Sequence, residues 1–211
     1  MGEVDFAAMR AAMVASQLRT SDVSDDAVIM AMARVPREDF VPPARRETAY
    51  IDRSIPLGEG KAMNPPLATG RLLTVAQIRP GEKVLLIGDA TGYAAAVLDH
   101  MGAQVTAVAD DARPKAVPAA VQWVKGDAAK GHAKGAPYDA IIVDGAIAEL
   151  PKMLAAQLVD NGRVAMGRIE RGVTRLCSGR KAGDALGFVS HADMEMACVP
   201  GLEAKAQEFV F

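Results

Sequence analysis

The chain has 211 residues and a formal net charge of −2 at pH 7, with lysine and arginine dispersed rather than clustered. That length suits one domain with a full hydrophobic core, or one domain with a small appendage, and the dispersed charge excludes a surface that tracks nucleic-acid phosphates. Half the residues are apolar but only 4% are aromatic, so small and adaptable side chains must fill the core, which favours helices laid on a sheet.

Val4 to Leu18 is rich in helix formers, with Phe6, Met9 and Met13 at three and four spacing on one side. Thr20, Ser21 and Asp22 break that helix. Ser24 is placed to cap a second one, with Asp25 and Asp26 in its first turn, Val28, Met32 and Val35 along one face, and Pro36 as the stop. From Arg37 to Pro66 the chain is proline-rich and has no sustained period. A connection this long inside a compact domain is usually functional, as a lid or a substrate-binding segment. Asn64 reads as a helix cap with Pro65 at the first helical position, leading into Leu67, Leu72 and Val75.

Everything else is organised around Lys83 to Asp111. Lys83 to Ile87 is a short apolar strand, Gly88 to Gly92 a tight turn, Tyr93 to Met101 an alanine-rich helix with Gly102 past its end, and Gln104 to Val108 a second strand. The unit closes as a βαβ of about thirty residues. A nucleotide-like cofactor belongs over the Gly88 turn, where backbone can approach it, with acid at the end of the second strand facing ribose hydroxyls. The turn lacks a middle glycine, having Ala90 instead, and a two-glycine βα turn alone is a weak signal.

Further along, Ala140 to Val143 is an apolar strand ending in Asp144; Glu149 to Leu158 reads as a helix that Asn161 and Gly162 end; Arg163 to Met166, Arg175 to Cys177 and Gly187 to Val189 read as strands, with a hairpin turn at Gly183 and Asp184. Cys177 and Cys198 are too few and too far apart for a disulfide framework or zinc cluster, and read as buried small residues in a reducing compartment. His100, His132 and His191 have no partners at metal-ligand spacing, so no metal is implied. No run approaches the ~20 apolar residues of a membrane span, and the expected location is cytoplasmic. Oligomeric state is not encoded in any pattern here.

Four stretches in unbroken order resemble successive motifs of the protein-L-isoaspartate O-methyltransferases: AMARVPREDFVP, AYIDRSIPLGEGKAMNPP, PGEKVLLIGDATGYAAAVL and GDAAKGHAKGAPYDAIIVDGAIAELPKMLAAQLVDNGRV. The resemblance implies a single α/β domain over residues 1–211 with the Rossmann-like methyltransferase fold: a mostly parallel sheet, helices on both faces, and short N-terminal helices. Residues 1–80 would form a helical and loop extension over the pocket. It further implies S-adenosylmethionine (SAM) as cofactor and, as partner, a protein or peptide acceptor bearing an isoaspartyl carboxylate. Gly88, Asp89, Gly92 and Tyr93 would hold the methionine end, Asp110 the ribose, and Gly126 with Asp127 the adenine. Asp144 would lie close to the methyl donor, and Asn64 would be the catalytic-side contact to the acceptor, under a loop from Leu57 to Pro66.

Several departures fall on that one pocket. The acceptor loop reads Gly60, Lys61, Ala62, Met63, Asn64, with the family's hydroxyls gone. Leu86 replaces the acid before the turn, Ala109 the ribose acid, and Asp89 and Asp144 are acids the pattern does not usually show. Between Asp110 and Val121 two prolines prevent the usual helix. These departures leave open a second expectation: a family scaffold that lost isoaspartyl repair and acts on another acceptor or as a non-catalytic binding protein. A dinucleotide-dependent oxidoreductase fits the βαβ unit alone but not the other three stretches.

Overall fold

The computed structural model describes residues 4–203. It opens with α1 (Phe6–Met13), capped by Asp5, whose carboxylate accepts from the Ala8 amide at 2.9 Å. The helix continues as a π-helical turn over Val14–Leu18, so the expected single helix has two geometries. α2 (Asp26–Arg34) is capped by Asp25, not Ser24: its carboxylate accepts from the Ala27 amide at 2.8 Å. A charged cap adds a favourable interaction with the helix dipole that a hydroxyl lacks.

The proline-rich stretch is built rather than loose. Two 3₁₀ segments, Arg37–Phe40 and Pro43–Thr48, lead into a hairpin of β1 (Ile55–Gly58) and β2 (Lys61–Met63). Arg10 of α1 holds it through an ion pair with Glu38 at 2.9 Å, and Glu38 also accepts from the Tyr50 hydroxyl. α3 (Pro66–Ala76) follows, and here the reading of Asn64 as its cap is overturned. The helix begins one residue later than expected, with Pro65 at the cap position. Its Leu67 amide is met instead by the Asp52 carboxylate at 3.0 Å, from 15 residues upstream.

β3 (Lys83–Ile87), β4 (Gln104–Ala109), β5 (Gln122–Lys125), β6 (Tyr138–Ile147) and β7 (Leu158–Glu170) run parallel in the order β5-β4-β3-β6-β7. β8 (Val173–Ala182) and β9 (Ala185–Asp193) extend the sheet antiparallel beyond β7. α4 (Tyr93–His100) crosses from β3 to β4. Between β4 and β5 the chain makes turns without a helix, as its prolines require. α5 is only Lys152–Ala155, shorter than the expected Glu149–Leu158, because β7 already begins at Leu158 and takes in Asn161 and Gly162 at a register irregularity. The last strands are likewise longer than their apolar kernels: each pairs with a neighbour well beyond its kernel, so backbone ladders carry polar positions with them.

Parallel strands covered on both faces read as continuous apolar runs, and β3 and β6 fit that rule. Val84, Leu86, Ala140 and Ile142 pack with Met13, Leu72 and Val97 of the helices on one face; Leu85, Ile87, Ile141 and Val143 pack with Leu154 and Val164 on the other. Leu86 is fully buried in the first of these cores.

Candidate active site

Strand order reverses between β3 and β6, because successive crossovers from β3 run one way and those from β6 the other. Such a switch point leaves a crevice at the carboxyl ends of the strands. A cavity of about 250 Å³ lies there, walled by Gly88–Ala90 after β3, Val108–Asp111 at the end of β4, Gly126–Ala129 after β5, Asp144 of β6, Lys61 and Ala62 of the hairpin, and Ala197–Leu202. The last segment is tied to β6: the Ala146 amide donates to the Ala197 carbonyl at 2.7 Å, and the Val199 amide to the Ala146 carbonyl at 3.0 Å.

The turn is shaped by its two glycines. Gly88 has φ +82°, and a Cβ there would stand 2.8 Å from the Val199 side chain; Gly92 has φ +84°, and a Cβ would meet Val117 at 2.1 Å. No L side chain fits either position comfortably. Asp89 sits between them with its carboxylate turned onto the start of α4. One oxygen accepts from the Gly92 amide at 2.7 Å and the Thr91 amide at 3.3 Å, the other from the Ala95 amide at 2.8 Å. The free amides of a helix N-terminus are thus already engaged by the protein's own anion.

Of the residues expected in the site, Gly88, Asp89, Asp110, Gly126, Asp127 and Asp144 line the cavity. Gly92, Tyr93 and Asn64 are not in its wall. Tyr93 is buried, its ring edge-on to Phe40 with centroids 5.6 Å apart and 4.8 Å beneath the Arg37 guanidinium. Asn64, 1% exposed, stands behind Asp144. Its amide nitrogen donates to Asp144 Oδ1 at 2.9 Å, while its side-chain oxygen accepts from the Ala197 amide at 2.7 Å. Asn64 therefore joins the end of the hairpin, β6 and the carboxyl-terminal segment in one contact.

Arg37 and Lys61 were not singled out by pattern, although both matter. Arg37 is 0% exposed, donating to the Ala49 carbonyl at 2.7 Å and to the Asn64 carbonyl; a charged residue inside PREDF is the only sequence signal for it. Lys61 spans the cavity mouth, reaching Asp110 at 2.9 Å and Asp111 at 2.5 Å. Cys198, expected buried, is exposed and lines the cavity because the carboxyl-terminal segment crosses the pocket rather than entering the core; Cys177 is buried, and both are free thiols.

Electrostatics divide the site in two. At the mouth, the hydrogen bond from Lys61 holds the Asp110 carboxyl below its usual range, and the Ala129 amide with Lys130 does the same for Asp127. At the floor, burial pushes the Asp144 carboxyl up to about 7; repulsion from Asp89 adds to this, while Asn64 and Arg37 oppose it. Burial also raises Asp89, against the three backbone amides that favour its anion. Among the described residues no group of three or more His, Cys, Asp and Glu could hold a metal ion, and no helix is long and apolar enough to cross a membrane.

An open sheet in this order, with a glycine turn and acids at its switch point, defines a Rossmann-like domain built for a nucleotide-type cofactor. The family model described as protein-L-isoaspartate(D-aspartate) O-methyltransferase matches residues 9–204. The chain belongs to that family. It is 40% identical over 170 residues, 76% of this chain and 69% of the relative, to protein-L-isoaspartate O-methyltransferase 1 of Rhodopseudomonas palustris (strain HaA2). To the protein-L-isoaspartate O-methyltransferase of Roseiflexus sp. (strain RS-1) it is 35% identical over 197 residues, 87% of this chain and 88% of the relative. Among solved structures, a protein-L-isoaspartate O-methyltransferase superposes with TM-score 0.78 at 22% identity, over 92% of this chain and 67% of that one. A putative one from Plasmodium falciparum, in complex with S-adenosyl-L-homocysteine, gives 0.73 at 18%, over 93% and 99%.

Proposed function

We propose that this protein is a SAM-dependent methyltransferase that esterifies the side-chain carboxylate of isoaspartyl residues in damaged proteins. The observation that carries this is the coincidence of the family match with a formed cavity at the switch point. Relatives this similar do not favour the alternative of a scaffold without the reaction. Its two free thiols suit a reducing compartment, and we place the protein in the cytoplasm.

The cavity fits the cofactor. A Cβ at Gly88 would close off the turn, and the acidic lining complements a cationic ligand. When bound, SAM supplies an electrophilic methyl group on a sulfonium. The Gly88 backbone then gives close approach to the methionine end, where Asp89 contributes charge while remaining bonded to its own turn. Asp110 meets the ribose hydroxyls, Gly126 and Asp127 border the adenine, and Asn64 with Asp144 forms the acceptor end. Because a carboxylate is already a nucleophile at pH 7, these residues act by alignment and by excluding water rather than by proton transfer.

Transfer of labelled methyl from SAM to an isoaspartyl peptide, measured beside its L-aspartyl isomer, tests the assignment. Base-labile label on the isoaspartyl peptide alone is expected. Protein that binds S-adenosylhomocysteine but labels neither peptide contradicts it.

A further inference from the structure

We propose that Asp144 works as a carboxylic acid, donating a hydrogen bond from its cavity-facing oxygen to the acceptor carboxylate, and that its ionisation closes the site to such acceptors. This rests on the isoaspartyl methyltransferase reading and names the group that would decide when that acceptor is admitted.

The charges at the cavity floor support the assignment. Two buried carboxylates, Asp89 and Asp144, repel one another, and one buried cation, Arg37, attracts Asp144. An unpaired buried charge is costly, so the set is balanced when one carboxylate carries a proton. Hydrogen bonding decides which. Both Asp89 oxygens accept from backbone amides, of Thr91 and Gly92 on one and Ala95 on the other, so a proton on either would displace an amide or point at one. At Asp144 only Oδ1 is engaged, by the Asn64 side-chain amide at 2.9 Å. Among the described residues nothing donates to Oδ2, and the residue lines the cavity. The proton therefore belongs on Asp144 Oδ2, directed into the pocket.

Other groups around Asp144 do not change that assignment. Lys61 stands at the mouth but is committed to Asp110 and Asp111, and the facing segment Ala197–Leu202 offers only Cys198 as a titratable side chain. In the acid form Asp144 gives an incoming carboxylate a charge-assisted hydrogen bond; in the ionised form it repels it. The acceptor oxygen bonds to the methyl carbon as the carbon–sulfur bond breaks, its electron pair staying on sulfur. Methyl ester and thioether result, no proton is gained or lost, and Asp144 ends as it began.

The test is the pH profile of kcat/KM for an isoaspartyl peptide between pH 5.5 and 9, with S-adenosylhomocysteine affinity measured by calorimetry at each pH. For wild type, kcat/KM should fall about tenfold per pH unit on the alkaline side, as one ionisation requires, mainly through KM, while S-adenosylhomocysteine affinity stays within about twofold. Asp144→Asn keeps a donor but cannot ionise, so its profile should be flat there and exceed wild type at pH 8.5 by about tenfold. Asp144→Ala, which lacks the donor, should raise KM about tenfold or more at pH 6. An Asp144→Asn profile that falls like wild type, or a pH dependence that resides in S-adenosylhomocysteine affinity, overturns the proposal alone. Wild type inactive on isoaspartyl peptide at every pH removes the methyltransferase reading and the proposal with it.

Discussion

Asn64 shows how one side chain acquires a role that spacing assigns elsewhere. An Asn before two prolines reads as a helix cap, yet its donor goes to Asp144 and its acceptor to the Ala197 amide, because Asp52 already meets the helix start. Sequence spacing cannot show a cap that arrives from another loop. Asn64→Ala leaves the part-buried Ala197 N–H and a buried Asp144 carboxyl oxygen without partners, so it should lower stability by about 1–3 kcal/mol. Urea midpoints at constant m value measure that, and a shift below a few tenths would mean water replaces the amide. Asp144 gives a second prediction, with a definite sign. Burial pushes its pKa up to about 7 in the folded protein, against an ordinary aspartate value of 3.8 when unfolded. The folded state therefore holds its proton longer, and this group's contribution to stability is largest below pH 4. It declines as pH rises towards 7, by up to about 1.4 kcal/mol per unit from this group, and levels off above. Asp144→Asn should remove that slope, so a melting temperature that still falls equally between pH 5 and 7.5 in the variant would place the titrating group elsewhere.

At the scale of elements, the hairpin of β1 and β2 is fastened to the end of β4 by Lys61, which pairs with Asp110 and Asp111 across the cavity mouth. Both acids are more than half exposed, and such pairs contribute little to stability. Their consequence is for binding instead. If Asp110 is to meet ribose hydroxyls it must share its oxygens with Lys61, so ligand and lysine compete for one carboxylate. Lys61→Ala should leave the unfolding free energy in urea within about 1 kcal/mol of wild type and tighten S-adenosylhomocysteine binding several-fold, whereas Asp110→Ala should weaken it. Equal or weaker binding in Lys61→Ala would show that the lysine helps hold the ligand. The missing helix between β4 and β5 has a comparable local cause. Arg113 donates to the Val121 and Val117 carbonyls at 2.9 and 3.2 Å, closing the loop on itself, and Trp123 Nε1 reaches the Asp111 carbonyl at 3.2 Å. The prolines forecast the loss of the helix, but not the arginine that replaces its hydrogen bonds.

For the whole molecule, what the sequence makes legible is whatever repeats locally. The βαβ unit of Lys83 to Ala109 stands at its expected boundaries to within a residue or so, since an all-apolar strand, a glycine turn and an alanine-rich helix each carry their own signal. Long-range contributions are not written that way. Lys61 and the segment Ala197–Leu202 reach the cavity from far apart in the chain, Arg37 stands behind it on the Asn64 carbonyl, and nothing in their neighbours announces it. A site assembled from such distant segments has a thermodynamic consequence. A ligand that touches β3, β4, the hairpin and the carboxyl-terminal segment binds only when all are in place, so it adds to global stability. With S-adenosylhomocysteine at a hundred times its dissociation constant the gain is about 2.7 kcal/mol, and at 2–4 °C per kcal/mol for a chain of this size the melting temperature should rise by roughly 5–10 °C. Calorimetric scans across a ligand series distinguish this from a merely local contact. A saturating ligand that protects the hairpin from proteolysis while leaving the melting temperature unchanged would mean that the pocket closes without the core depending on it.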